Sequence, residues 1–147
     1  MIKLFLDANI LIDITYEGRP SSKESSELYA HSVQNSKKYQ LYTSCDLLTT
    51  VYYILRKQFN KKLVLEKIKL MNKIIHVIEF GNQEIDEAIY LMEKNSNFSD
   101  LEDTIQFVMA RKARCDYIVS NDKGFFSHDV PLVRSGEMLE ILRKRTK

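Results

Sequence analysis

The sequence predicts an α/β fold: a mostly parallel central sheet with helices packed on both faces, in three layers. Three observations carry that prediction. Short apolar runs at residues 1–6, 39–43, 74–80, 117–120 and 132–133 alternate with longer stretches whose apolar residues recur every three or four positions. No two-residue hairpin turn joins one run to the next, so the strands must be connected by crossovers through helices. The first run stops at Asp7 and an amphipathic stretch begins at once, as when a buried parallel strand delivers a side chain to the carboxyl edge of its sheet.

The remaining elements follow in order. Residues 8–16 read as a short helix, broken by Glu17-Gly18-Arg19-Pro20. Ser21 and Ser22 offer N-caps to a helix reaching about Asn35, with Leu28, Tyr29 and Val33 on one side. After the first strand and the strand at 39–43, Ser44 or Asp46 caps a helix containing Leu47, Leu48, Val51, Tyr52, Ile54 and Leu55. Its apolar residues lie around most of its circumference, which predicts deep burial, with Tyr52 and Tyr53 in the core. Residues 61–73 form a lysine-rich helix, and 74–80 alternate about His76 as a strand. Asn82 is expected to cap a helix to about Lys94, with Ile85, Ala88, Ile89 and Met92 at helical spacing. A polar loop, a helix over 100–114, the strands at 117–120 and 132–133, and a helix over 136–145 complete the chain.

At 147 residues, with 44% apolar and 29% charged residues, the chain suits one domain spanning 1–147. A net charge of +2 is too small to argue for nucleic acid by itself. Cys45 and Cys115 form no CxxC pair, and His31, His76 and His128 have no zinc-binding spacing; two buried free thiols in a reducing cytoplasm are expected. Asp7 and Asp13 interrupt the N-terminal apolar run, which excludes a signal peptide, and no stretch approaches the ~20 apolar residues of a membrane span. These features predict a soluble cytoplasmic protein.

Three chain-distant places bring aspartates to what should be one sheet edge. Asp7 ends the first strand, Asp122 ends the strand at 117–120, and Asp100 and Asp103 share a face in the first turn of the helix before it. Each has an ordinary reading as a cap or a partner of a helix dipole. Ser99 and Glu102 fit a capping box, which leaves Asp103 unexplained. Carboxylates crowded together repel, raising the pKa of at least one unless a cation lies between them. An all-oxygen set suits a hard ion, and Mg²⁺ in particular holds a few carboxylates, several waters and phosphate oxygens. Phosphodiester hydrolysis with one or two such ions follows as the expected chemistry. A haloacid-dehalogenase-like phosphatase fits less well, since its second aspartate would fall at Asn9. So does a response-regulator receiver, since the strand at 74–80 ends in Glu79-Phe80-Gly81.

The stretches Leu6-Asp7-Ala8-Asn9-Ile10-Leu11-Ile12-Asp13, Asp100-Leu101-Glu102-Asp103 and Asp116-Tyr117-Ile118-Val119-Ser120-Asn121-Asp122 resemble the PIN domain family, above all its small prokaryotic VapC-type toxins. The run Tyr52-Tyr53-Ile54-Leu55-Arg56-Lys57 resembles one branch of such domains, and the likeness covers nearly the whole chain. It implies a three-layer α/β/α nuclease acting on RNA with Mg²⁺ or Mn²⁺. Asp7, Asp103 and Asp122 would be catalytic and metal-binding, Asp100 an additional metal ligand, and Asn9 and Asn121 supporting residues. The glutamate that most active relatives carry after the second strand is Thr50 here, a neutral and poorer ligand; Asp46, four residues earlier, is a candidate substitute. Relatives imply a homodimer and a cognate antitoxin protein as partners. Arg56, Lys57, Lys61, Lys62, Lys67, Lys69 and Lys73, with Arg143, Lys144, Arg145 and Lys147, make two basic stretches that suit RNA or simply line solvated helices. Two functions therefore stand: a metal-dependent endoribonuclease, the toxin of a toxin-antitoxin pair where an antitoxin exists, and a catalytically impaired PIN-fold module that binds RNA or protein.

Overall fold

Residues 1–146 are described by a computed structural model; Lys147, the end of the basic tail, lies outside the described residues. The elements are β1 (Ile2–Leu6), α1 (Ala8–Asp13), α2 (Ser22–Gln34), β2 (Tyr39–Ser44), α3 (Cys45–Leu55), α4 (Lys61–Ile74), β3 (His76–Ile78), α5 (Asn82–Lys94), α6 (Leu101–Lys112), β4 (Tyr117–Val119), β5 (Leu132–Val133) and α7 (Ser135–Thr146). The strands form one five-stranded sheet in the order β3-β2-β1-β4-β5, and every neighbouring pair is parallel. The predicted α/β class holds, in three α/β/α layers.

Handedness explains the layers. The connections from β1 through β2 to β3 step one way across the sheet, and the connection from β3 to β4 steps back past β1. Right-handed crossovers therefore send the two sets of helices over opposite faces. In keeping with this, α1 packs on α2 and α3, α3 on α4, and α2 on α7, while α5 pairs with α6. β1 is central and its Leu4, Phe5 and Leu6 are essentially inaccessible, meeting Phe107 of α6 and Ile118 and Val119 of β4 in one buried core. The sheet order reverses between β1 and β4, so a crevice opens beyond their carboxyl ends, where ligands of open α/β sheets bind.

Several local expectations need correction. The strand expected over 74–80 is only His76–Ile78. Ile74 continues α4, the Ile75 N–H donates to the Met71 carbonyl at 2.8 Å, and β3 stops where its partner β2 stops, at the pair Ser44 and Ile78. Helix α3 is buried along one stripe only, Leu47, Val51 and Leu55, because it packs against α1 and α4 and not all round. Tyr53 is 69% exposed and so not a core residue, whereas Tyr52 is half-buried and packs against the core. Cys45 is exposed at the start of α3; only Cys115 is buried, and burial pushes its thiol up to about 12. Asn82 lies inside the first turn of α5, whose cap is Gly81, with the Gly81 N–H donating to Glu84 Oε1 at 3.1 Å. Among the described residues no helix is long and apolar enough to cross a membrane.

Candidate active site

Asp7 sits at the reversal of the sheet. Its N–H donates to the Val119 carbonyl at 3.1 Å, one residue beyond the last β1–β4 pair, so the backbone leaves β1 already registered against β4. The residue is extended and caps α1: Oδ1 accepts the Ala8 N–H at 2.7 Å. Oδ2 accepts from the Ser120 hydroxyl at 2.7 Å and from Asn9 Nδ2 at 2.8 Å. Only 4% of Asp7 is exposed. Burial raises its pKa, and the donors from Ser120, Gln106 and Ala8 work against that rise, while Asp122 adds to it. Asn9 also accepts from the Asn121 N–H at 3.2 Å, which binds the loop after β4 to the start of α1.

Helix α6 brings the second group. Its cap is Asp100, not the Ser99 of the expected capping box: Asp100 Oδ2 accepts the Asp103 N–H at 2.9 Å. Aspartate caps as well as serine does, and starting the helix one residue later moves Glu102 out of the reach-back position. Glu102 instead feels the acids: its pKa is raised by partial burial, then by Asp46, Asp7 and Asp100. Asp103 is half-buried and raised to about 7, by burial first and then by Asp7, Asp100, Asp122 and Glu102. The four predicted acids thus share one electrostatic neighbourhood, contributed by β1, α6 and the loop after β4.

That loop is set by the side chains around it. Asp122 is exposed; its N–H donates to Ser120 Oγ at 3.1 Å and its Oδ1 accepts the Gly124 N–H at 2.8 Å, closing a tight turn. The Asn121 amide turns away from the acids. Nδ2 donates to Asp13 Oδ2 at 3.1 Å and to Ser135 Oγ at 3.0 Å, and Oδ1 accepts the Ser135 N–H at 3.1 Å. Asp13, buried to 2% exposure, also pairs with Arg19 Nε at 2.7 Å and accepts from Ser25 Oγ at 2.9 Å. This polar knot joins α1, α2, α7 and the loop bearing Asp122. In the sequence Asp13 marked only a break in an apolar run.

A PIN domain profile matches residues 3–124. The chain belongs to the PIN domain family. It is 44% identical over 138 residues to a protein called Ribonuclease VapC1 from Aquifex aeolicus, covering 94% of each chain. Among solved structures it resembles a sarcin-ricin-loop-cleaving toxin, VapC20 of Mycobacterium tuberculosis, with TM-score 0.69, 14% identity and coverage of 83% of this chain and 92% of that one. It also resembles a chain of a toxin-antitoxin complex from Klebsiella pneumoniae, with TM-score 0.63, 19% identity and coverage of 90% and 97%. At such identities the structural likeness speaks for the fold.

Within this PIN domain, Thr50 lies on α3 one turn beyond Asp46, and its hydroxyl points back to the Asp46 carbonyl at 3.4 Å. Asp46 Oδ1 accepts from Ser44 Oγ at 2.6 Å, and Asp46 acts on Glu102 across the crevice. Sequence reasoning assigned Glu102 to a cap and passed over Gln106. Gln106 is fully buried one turn after Asp103, between Ile105 and Phe107, and a lone amide in so apolar a stretch was the available signal. None of Asp7, Asp46, Asp100, Glu102, Asp103 and Asp122 pairs with a lysine, arginine or histidine among the described residues. No three acidic, histidine or cysteine groups among the described residues stand close enough to enclose an ion by themselves. The donor set is all oxygen, negative and uncompensated, which fits a hard cation that keeps part of its water shell and needs only one or two carboxylates directly.

Proposed function

We propose that the chain is a metal-dependent endoribonuclease that hydrolyses RNA phosphodiester bonds at this acidic crevice, as the toxin of a toxin-antitoxin pair. The observation that carries the reading is Asp103. A half-buried carboxyl held at about 7 by burial and then by four surrounding carboxylates, with no cationic side chain paired to the group among the described residues, is costly unless a cation joins it. The 44% identity to Ribonuclease VapC1 supports the same nuclease role.

Mg²⁺ or Mn²⁺ would sit among Asp7, Asp103 and Asp122, held directly by one or two of them and through water by the rest, with Asp100 and Glu102 at the margin. A bound divalent ion supplies acidified water and a counter-charge for the phosphate oxygens. Asn9 and Ser120 hold the Asp7 carboxylate in one orientation, and the Asp13–Asn121 knot holds the turn that bears Asp122. Exposed Arg56, Lys57, Lys61, Lys62, Lys69 and Lys73 lower the cost of bringing a polyanion to an acidic crevice. Solved relatives described as toxin-antitoxin complexes support an antitoxin partner, and Tyr53 on α3 with Leu70 on the adjoining α4, 69% and 59% exposed, supports a protein contact such as a homodimer.

Thr50 favours a second reading, a PIN-fold module that binds RNA or a protein without cutting. One experiment separates them. Calorimetry with Mn²⁺ and Mg²⁺ on the wild type and on Asp7→Asn/Asp103→Asn, beside an RNA-cleavage assay, should give binding and cleavage that both vanish in the variant. A folded wild type that binds neither ion at millimolar concentration refutes the nuclease and leaves the binding module.

A further inference from the structure

We infer that Gln106 is a positioning residue of the acidic centre: its carboxamide links Asp7, at the end of β1, to the face of α6 that carries Asp103. The inference rests on the nuclease reading above and concerns a residue outside its set of acids.

Gln106 is 0% exposed, and neither Nε2 nor Oε1 has a hydrogen-bond partner within the described structure. Every other buried side-chain polar atom among the described residues has one. An amide offers two donors and an acceptor with two lone pairs, and folding leaves such groups unpaired only where something else is to meet them. A leucine or methionine would fill the same space without that cost, since removing an unpartnered buried polar group is neutral or stabilising. The amide's place says what it is for. Three residues after Asp103, it falls on the same face of α6. It lies close enough to the Asp7 carboxylate to favour its ionised form, though short of a proper hydrogen bond.

The other donors to Asp7 come from Ala8 and Asn9 on its own segment and Ser120 beyond β4. Gln106 is the polar contact from the opposite helical layer, so it ties the position of Asp7 to the helix that carries Asp103. Nε2, already close to Asp7, is placed to donate to it and so to fix the separation of the two carboxylates. Outer-shell partners of this kind typically govern metal affinity by 10–100-fold.

The test compares wild type with Gln106→Met, an apolar replacement of similar shape, and with Gln106→Asn, which keeps an amide. Mn²⁺ affinity by calorimetry should fall at least ~10-fold in Q106M, with partial recovery in Q106N, while the thermal midpoint of Q106M in chelator stays equal to or above that of the wild type. A merely structural amide would move the midpoint and leave the affinity alone, and an unchanged Kd in folded Q106M overturns the inference while the nuclease reading stands. Should Q106M not fold, the wild type decides: its Gln106 side-chain NH₂ resonances should shift when Mg²⁺ is added, and resonances that stay fixed at saturating Mg²⁺ overturn the inference. A wild type that binds neither ion overturns this inference and the nuclease reading together.

Discussion

Asp103→Asn should make the metal-free protein more stable at neutral pH and destroy its metal site. In the folded chain Asp103 keeps its proton up to about 7, because burial and the charges of Asp7, Asp100, Asp122 and Glu102 oppose ionisation. In the unfolded chain an aspartate releases its proton near ~3.9. Folding therefore takes up a proton between those values, and the contribution of Asp103 to stability falls as pH rises from about 4 to about 7 and is flat above. The full difference corresponds to about 4 kcal/mol. The group is only half-buried, so water screens the repulsion and a loss of ~2 kcal/mol is expected. Asparagine has the same shape and no charge. At pH 8 in chelator, Asp103→Asn should unfold about 4–8 °C later than the wild type; at about pH 3, below both values, the two should nearly coincide. Added Mn²⁺ should raise the wild-type midpoint at pH 8 and leave the variant's unchanged. A variant that is less stable than the wild type at pH 8, or equally displaced at both pH values, would refute the claim that these carboxylates press on one another.

Thr50→Glu should restore a carboxylate to the turn of α3 beyond Asp46 and lower the Kd for Mn²⁺ by roughly tenfold, about 1.4 kcal/mol, measured by calorimetry; unchanged or weaker binding would show that α3 does not face the ion. Glu102→Gln should weaken Mn²⁺ binding while raising the chelated protein's thermal midpoint, since it removes a carboxyl whose pKa is held up by burial and by Asp46, Asp7 and Asp100. Asp13→Ala deletes the bonds from Arg19, Ser25 and Asn121 at 2.7, 2.9 and 3.1 Å and should cost about 3 kcal/mol in urea unfolding. Phe107→Ala empties a fully buried site beneath the sheet and should cost ~3–5 kcal/mol by the same assay.

The order of the acids along the chain, and the class of fold that collects them, were legible because both are local. Strand and helix periods are written in consecutive residues, and an aspartate that directly follows an apolar strand must emerge at its carboxyl end. Thus Asp7, Asp103 and Asp122 could be picked out before their separations were known. The errors were local in origin too. Ser99 and Asp100 are both good caps, and only the backbone decides between them; Asp100 won and freed Glu102 to join the acids. Helix α3 looked apolar all round, but burial depends on which neighbours arrive, and α1 and α4 cover one stripe of it.

Tertiary structure alone decided the rest. The order β3-β2-β1-β4-β5 puts the reversal of the sheet at Asp7, and no sequence pattern carries the order of parallel strands, because every crossover looks alike in one dimension. The knot of Asp13, Arg19, Ser25, Asn121 and Ser135 spans five separate chain positions whose hydrogen bonds exist only once α1, α2, α7 and the loop after β4 have met. The unpartnered amide of Gln106 belongs to the same kind: a polar residue in a helix is ordinary in sequence, and becomes a sign of function only when packing has removed the water that would have satisfied it.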